Sequence, residues 1–242
     1  MIVQQALSCA ANPVLSLING ASFRGIEARR AALLRNEELI DDIDYGAGAP
    51  SAPRAAETQR RGVRGRERVS VFAGYSKPAR QCRILYYLVR LKVPAEALEL
   101  GTCVGISAAY LAAAMKKNDL GHLWTIEGSP QVADLAAQTL TGLGLDGLVS
   151  IVRGPLHVAL APVLRERKFD LVFVDAHHDG AATVGYFEEI KPHLRAGAIV
   201  VFDDIDWSDG MQAAWARIAV DPAVAEHRAA SGIGFVTVGS RH

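Results

Sequence analysis

The chain is short of several things. Its 242 residues include only three cysteines, Cys9, Cys82 and Cys103. They are odd in number and widely spaced, so neither a disulfide framework nor a metal-binding spacing is present. A reducing, cytoplasmic compartment is expected. Net charge is also missing, because 26 Lys and Arg balance 26 Asp and Glu. That removes the global electrostatic basis for a nucleic-acid or anionic-membrane partner. No apolar run is long enough to cross a bilayer. Met1 to Leu17 lacks a basic stretch and contains Asn12-Pro13, so no signal peptide is expected. Internal repeats and low-complexity tracts are absent as well.

What is present is a large hydrophobic fraction, 50% of all residues. That is enough to bury the core of one α/β domain with a terminal extension. The rest of the chain is organised around Ala97-Leu98-Glu99-Leu100-Gly101-Thr102-Cys103-Val104-Gly105-Ile106-Ser107. A short apolar run ends in a glycine, a second glycine follows four residues on, and an alanine-rich helical pattern runs from Val104 to Lys117. Lys116, Lys117, Asn118 and Gly121 then close the helix. Strand, tight turn and helix in this order open a nucleotide-binding α/β sheet. Gly101 lets the chain bend sharply, and Gly105 removes a side chain where a ligand would approach backbone. The spacing is G-x-x-x-G, not the G-x-G-x-x-G of dinucleotide binders. Glu99 would repel a pyrophosphate but would welcome an ammonium group or ribose hydroxyls. S-adenosylmethionine (SAM) offers both.

Downstream, strands and helices alternate. Strands are expected at His122–Glu127, Leu148–Arg153, Phe169–Asp175 and Ala198–Asp203. Helices are expected at Pro130–Leu140, Pro155–Arg165, Thr183–Leu194 and Met211–Val220. Ala225–Ala230 and Gly234–Val238 read as a closing pair of strands. This alternation means a parallel sheet covered on both faces.

In such sheets a ligand lies beyond the carboxyl ends of the strands. Glu127 ends the second strand, about two dozen residues past the glycine turn, where a carboxylate accepts hydrogen bonds from a ribose diol. Gly154 ends the third, where it either admits an adenine ring or makes a plain turn. Asp175 ends the fourth, followed by Ala176-His177-His178-Asp179; Asp203-Asp204 end the fifth. Asp179 is expected to cap the next helix. Three acids at neighbouring strand ends would repel one another, and a hard divalent cation, Mg²⁺, would resolve the repulsion. Asp175, Asp203 and Asp204 are therefore the expected metal set. A histidine beside such a site suits proton removal from a hydroxyl. Both histidines could equally be ordinary loop residues. Trp207, Trp215, Tyr75 and Tyr45 line an acceptor pocket or belong to the core.

The first 70 residues differ in character. A short helix interrupted at Pro13 is expected over Leu7–Ile18, and a better one over Ile26–Ile40, ending in Asp41, Asp42 and Asp44. Tyr45 to Pro53 is a breaker. Arg54 to Arg68 carries six arginines and reads as a solvated linker or polar helix. Pro78 then opens a packing helix that runs to about Leu91.

The run Glu99-Leu100-Gly101-x-x-x-Gly105-x-Ser107 resembles the first motif of the class I SAM-dependent methyltransferases, particularly the catechol O-methyltransferase-like branch. The resemblance covers residues 70–242. It implies a Rossmann-like α/β fold with a mostly parallel seven-stranded sheet and helices on both faces, over residues 71–242. Residues 1–70 would form an N-terminal helical extension with a flexible linker, lying over the cofactor or in a homodimer contact. The implied SAM-binding set is Glu99, Gly101, Gly105, Ser107, Glu127, Gly154, Asp175 and, from the loop Gly74–Lys77, Tyr75. The third residue after the strand-end aspartate is often a basic lysine in these enzymes and a histidine in related natural-product methyltransferases, which points to His178 as the base. Animal-type enzymes have Asp-Asn where this chain has Asp203-Asp204, a departure toward the natural-product branch. The Asn/Asp-Pro-Pro-aromatic turn of nucleic-acid amine methyltransferases is absent. The expected activity is metal-assisted methyl transfer from SAM to a hydroxyl of a small molecule. Alternatives are a metal-independent N- or C-methyltransferase and a non-catalytic SAM-binding protein.

Overall fold

The computed structural model describes residues 1–239, apart from the Ser16 side chain. The last three residues of the expected 71–242 domain lie outside the described residues. The chain begins with three helices, α1 (Ile2–Ala11), α2 (Pro13–Ile18) and α3 (Gly20–Leu33). Pro13 separates the first two. Asn12 caps the second, its side chain accepting from Val14 N at 2.9 Å.

The expected helix over Ile26–Ile40 stops at Leu33, and the acidic cluster beyond it is a strand, β1 (Leu39–Asp44). A small turn of paired residues, β2 (Gly48–Ala49) and β3 (Ala52–Pro53), follows, then a one-turn-and-a-half helix α4 (Ala56–Arg61) and β4 (Val63–Arg68). β1 and β4 pair antiparallel, with Asp41 opposite Arg66 and Ile43 opposite Arg64. The segment read as a linker is thus half of a ribbon, and acid against base across its two strands favours this register. Arg66 Nε lies 3.4 Å from Asp41 Oδ1.

α5 (Val69–Tyr75) and α6 (Ala79–Lys92) lead into the main sheet. The remaining elements are β5 (Glu96–Leu100), α7 (Ile106–Asn118), β6 (His122–Glu127), α8 (Pro130–Gly142), β7 (Val149–Arg153), α9 (Leu156–Leu164), β8 (Phe169–Val174), α10 (Gly180–Ile190), β9 (Leu194–Phe202), α11 (Asp209–Ala219), β10 (Val224–Ala230) and β11 (Ile233–Val238). The seven-stranded sheet has the order β10-β11-β9-β8-β5-β6-β7. β5 to β9 run parallel, while β11 is antiparallel to both its neighbours. The chain moves outward from β5 through β6 to β7, then returns to β8 on the other side of β5. That reversal opens a crevice above β5 and β8.

Strand side chains alternate between two apolar layers. Leu171 and Phe173 of β8 pack with α6 and α7, whereas Val172 and Val174 pack with α9 and α10. Apolar residues on both faces explain the near-continuous hydrophobic runs of these strands. Val3, Ala6, Phe23, Ile26 and Leu33 join the first layer, so the N-terminal helices share the core of the sheet domain. Among the described residues no helix is long and apolar enough to cross a membrane.

Candidate functional site: a cleft at the strand ends roofed by the N-terminal ribbon

The glycine turn forms the floor. Gly101 has φ +92°, and a Cβ there would overlap the Asp175 carbonyl oxygen. Only glycine lets β5 end so close to the end of β8. Gly105 has φ +83°, and a Cβ there would stand 3.1 Å from Ala136 Cα. The sequence reading gave this glycine to ligand approach. The structure instead gives it to the approach of α7 and α8, and Gly105 does not line the cavity.

Glu99 also departs from the expected role of direct contact. It is fully buried beneath the turn and accepts from Thr125 Oγ1 at 2.6 Å. Burial pushes its carboxyl up to about 7, against the pull of the Thr125 and Ser107 hydroxyls. Ser107 lines the cavity above it. Glu127 lies at the cavity wall, with Oε2 accepting from Cys103 N at 2.8 Å and Oε1 from Ser129 N at 2.9 Å. Burial raises it to about 7, and backbone N–H donors oppose the rise. Each oxygen keeps a lone pair for a further donor. Gly154 is not in the cavity wall; the next residues, Pro155 and Leu156, are.

At the other end the three aspartates converge, but on a lysine. Lys77 Nζ contacts Asp203, lies 3.2 Å from Asp204 Oδ2, and lies 3.7 Å from Asp175 Oδ1. Burial would lower the lysine, but the three carboxylates outweigh it and hold the ammonium above its ordinary range. Burial pushes Asp203 up to about 8, with the Asp175 charge adding to it. Burial likewise raises Asp175 to about 6, although Lys77 opposes this. The centre of the expected metal set is therefore filled by an ammonium. A Mg²⁺ would need its carboxylate oxygens about 2.0–2.1 Å from that same point, so the residues as placed do not fit the ion. Among the described residues no group of three His, Cys, Asp or Glu side chains has the geometry of a metal site.

The two histidines take different parts. His177 Nδ1 and the Tyr186 hydroxyl are 2.7 Å apart. Burial lowers His177 to about 4. His178 lines the cavity, with Nδ1 3.6 Å from Asp204 Oδ2 and Nε2 3.8 Å from Asp175 Oδ1. Burial lowers its pKa, and Lys77 adds to that while Asp204 opposes it. Cys103, His177, His178 and Asp204 all have positive φ and all line the cavity. Strain gathered at one place in non-glycine residues marks a functional region.

The roof is the segment from β1 to β4, whose composition reads as acidic cluster, breaker and linker. Ala47 N donates to the His177 carbonyl at 2.8 Å, Asp41 N to Gln131 Oε1 at 2.9 Å, and Ile43 N to Ser129 Oγ at 3.3 Å. The Tyr45 ring lies between Gly62 and Gly128, and a Cβ on either would stand 2.7 Å from it. Floor and roof border an open cleft of about 810 Å³. Tyr45, Tyr75 and Trp207 line it, while Trp215 packs against Phe202 and Gly234 in the core. The resemblance implies helices from the first 70 residues over the cofactor; the cover is instead the β1–β4 ribbon, and the part Lys77 plays among the acids was not read from sequence. One signal was available for Lys77, since a cation just before a helix N-terminus opposes the dipole and calls for an acidic partner.

Residues 98–205 match the methyltransferase-domain family. The catechol O-methyltransferase of Mycobacterium tuberculosis is 31% identical over 175 residues, 72% of this chain and 71% of that protein. The catechol O-methyltransferase of Niastella koreensis is 32% identical over 127 residues, 52% of this chain, and the match spans just 56% of that relative's length. Among solved structures, the O-methyltransferase TomG from Streptomyces achromogenes, in complex with SAM, superposes with a TM-score of 0.58 at 26% identity, covering 69% of this chain and 82% of that one. The chain belongs to the class I SAM-dependent methyltransferases. Within that class it falls in the catechol and caffeoyl-CoA O-methyltransferase-like family.

Proposed function

We propose that this chain transfers the methyl group of SAM to a hydroxyl oxygen of a small molecule, with His178 as the base. The observation that carries this reading is one continuous cavity, whose wall includes the Gly101 turn and Glu127 together with Asp175, His178 and Asp204. Donor and acceptor sites are thereby adjacent, as group transfer requires. The names of the relatives, catechol O-methyltransferases among them, support oxygen as the acceptor atom.

The donor end suits SAM by its chemistry. Glu127 has acceptor capacity left for a ribose diol, and the N–H groups at the start of α7 face the turn. SAM when bound supplies an electrophilic methyl on a sulfonium centre. The protein's own work is then positioning and proton removal. Burial lowers the pKa of His178, which favours the neutral imidazole that can take a proton. Its ring nitrogens lie beyond hydrogen-bond reach of the acids and stay available, whereas His177 is engaged by Tyr186. The ribbon covers part of the crevice.

The test combines calorimetric titration with S-adenosylhomocysteine and a transfer assay from labelled SAM to a panel of phenols and alcohols. Binding of S-adenosylhomocysteine with label on oxygen supports the reading. Absence of binding, or label found only on nitrogen or carbon, overturns it.

A further inference from the structure

The cluster at the acceptor end is built differently from a metal centre. Lys77 comes from the loop before α6, far in sequence from the acids at the ends of β8 and β9. Its side chain is only 12% exposed, yet it reaches the cavity wall. We propose that methyl transfer by this chain runs without a divalent ion, with the Lys77 ammonium as the resident cation of the acceptor site. This rests on the SAM-dependent O-methyltransferase reading above.

Lys77 supplies what the strand-end acids lack, a fixed positive charge between them. Without it, Asp203, at 2% exposure, would be a buried carboxylate with no cation beside it. The geometry also leaves something over. An ammonium has three N–H donors. Two are directed to Asp203 and Asp204, while Asp175 at 3.7 Å is beyond hydrogen-bond reach. One donor is therefore open to an oxygen entering from the cavity. His178 stands on the same wall to accept that oxygen's proton. As the proton moves to the imidazole, the oxygen–carbon bond forms and the carbon–sulfur bond of the sulfonium breaks, its electron pair staying on sulfur.

The inference extends to the acceptor. A divalent ion with open positions holds two neighbouring oxygens of a vicinal diol. A single free N–H holds one. The acceptor then needs one reactive hydroxyl and no chelating partner beside it.

The experiment is a Mn²⁺ titration of the full chain, read by the electron paramagnetic resonance signal of the free ion, with S-adenosylhomocysteine calorimetry on the same samples. The wild-type chain is expected to take up no stoichiometric Mn²⁺ below about 1 mM. Lys77→Ala, which vacates the centre, is expected to bind one Mn²⁺ at least ~10-fold more tightly than wild type. Lys77→Arg keeps the charge and should behave as wild type. Stoichiometric micromolar binding by wild type, lost in Asp204→Asn, would overturn the proposal. So would a folded Lys77→Ala chain that binds no better than wild type. Should Lys77→Ala not fold, the wild-type titration decides alone. Failure of wild type to bind S-adenosylhomocysteine would strike the methyltransferase reading instead.

Discussion

The backbone N–H of Cys103 donates to Glu127 Oε2 over 2.8 Å, joining the glycine turn to the end of the neighbouring strand. Glu127 thus shapes the floor of the cleft as well as facing it. Glu127→Ala leaves the N–H groups of Cys103 and Ser129 without their charged acceptor. S-adenosylhomocysteine affinity is expected to fall about 10- to 100-fold, measured by calorimetry. Unchanged affinity would remove Glu127 from the binding site.

The two glycines of the turn should differ in sensitivity. Gly101→Ala drives a Cβ into the Asp175 carbonyl at φ +92°. It should lower unfolding free energy by on the order of 3 kcal/mol. Gly105→Ala meets Ala136 at 3.1 Å and should lower it by about 1–2 kcal/mol. Urea denaturation gives both values, and the reverse order would contradict the packing described.

The histidines are separable by kinetics. His178→Ala should reduce turnover by about 10²–10⁴-fold while leaving S-adenosylhomocysteine binding intact. His177→Ala deprives the Tyr186 hydroxyl of its partner and should act chiefly on stability, by about 1–3 kcal/mol. Equal losses of turnover in both variants would remove the distinction drawn between them.

Stability should depend on pH through the buried acid under the turn. Burial raises Glu99 from an ordinary 4.5 to about 7 in the folded chain. A raised carboxyl binds its proton more tightly when folded, so its contribution is fully present below 4.5 and is lost as pH rises through about 7. Thermal melts at about pH 5 and about pH 8 should show a fall for wild type that is smaller in Glu99→Gln. An identical fall in both would assign the dependence to other groups.

The roof is testable with a protease. Tyr45→Ala takes away the ring held between Gly62 and Gly128. Trypsin should then cut faster at Arg60 to Arg68 while the sheet domain stays resistant. Equal cleavage rates would show that the seating does not depend on Tyr45.

The sheet domain was legible because its strands are apolar runs ended by acids and glycines, and its helices start at Pro130, Asp179 and similar signals. The ribbon was not. β1 exposes or half-exposes every residue except Ile40, and β4 buries none. Neither strand therefore carries the alternation that marks a half-buried strand. Its supports, Ser129, Gln131 and His177, belong to other elements. Strand-end acids could be collected from sequence because topology puts them together. For Lys77 the sequence offered only its place before a helix N-terminus, not its partners, because it lies 127 residues from Asp204. Gly105 misled for a related reason. A glycine shows that a Cβ is not tolerated, but not whether ligand or protein excludes it.

The seating of the ribbon has a consequence for how the molecule is made. Ile43 and Asp41 depend on Ser129 and Gln131, 86 and 90 residues further on, and Gln59 reaches Asp179 at a separation of 120. During synthesis β1 and β4 can pair with each other as soon as both have left the ribosome. They have nothing to rest on until β6 and then β8 have followed. The binding cleft is thus completed only after the sheet that carries it, although its cover is translated before that sheet.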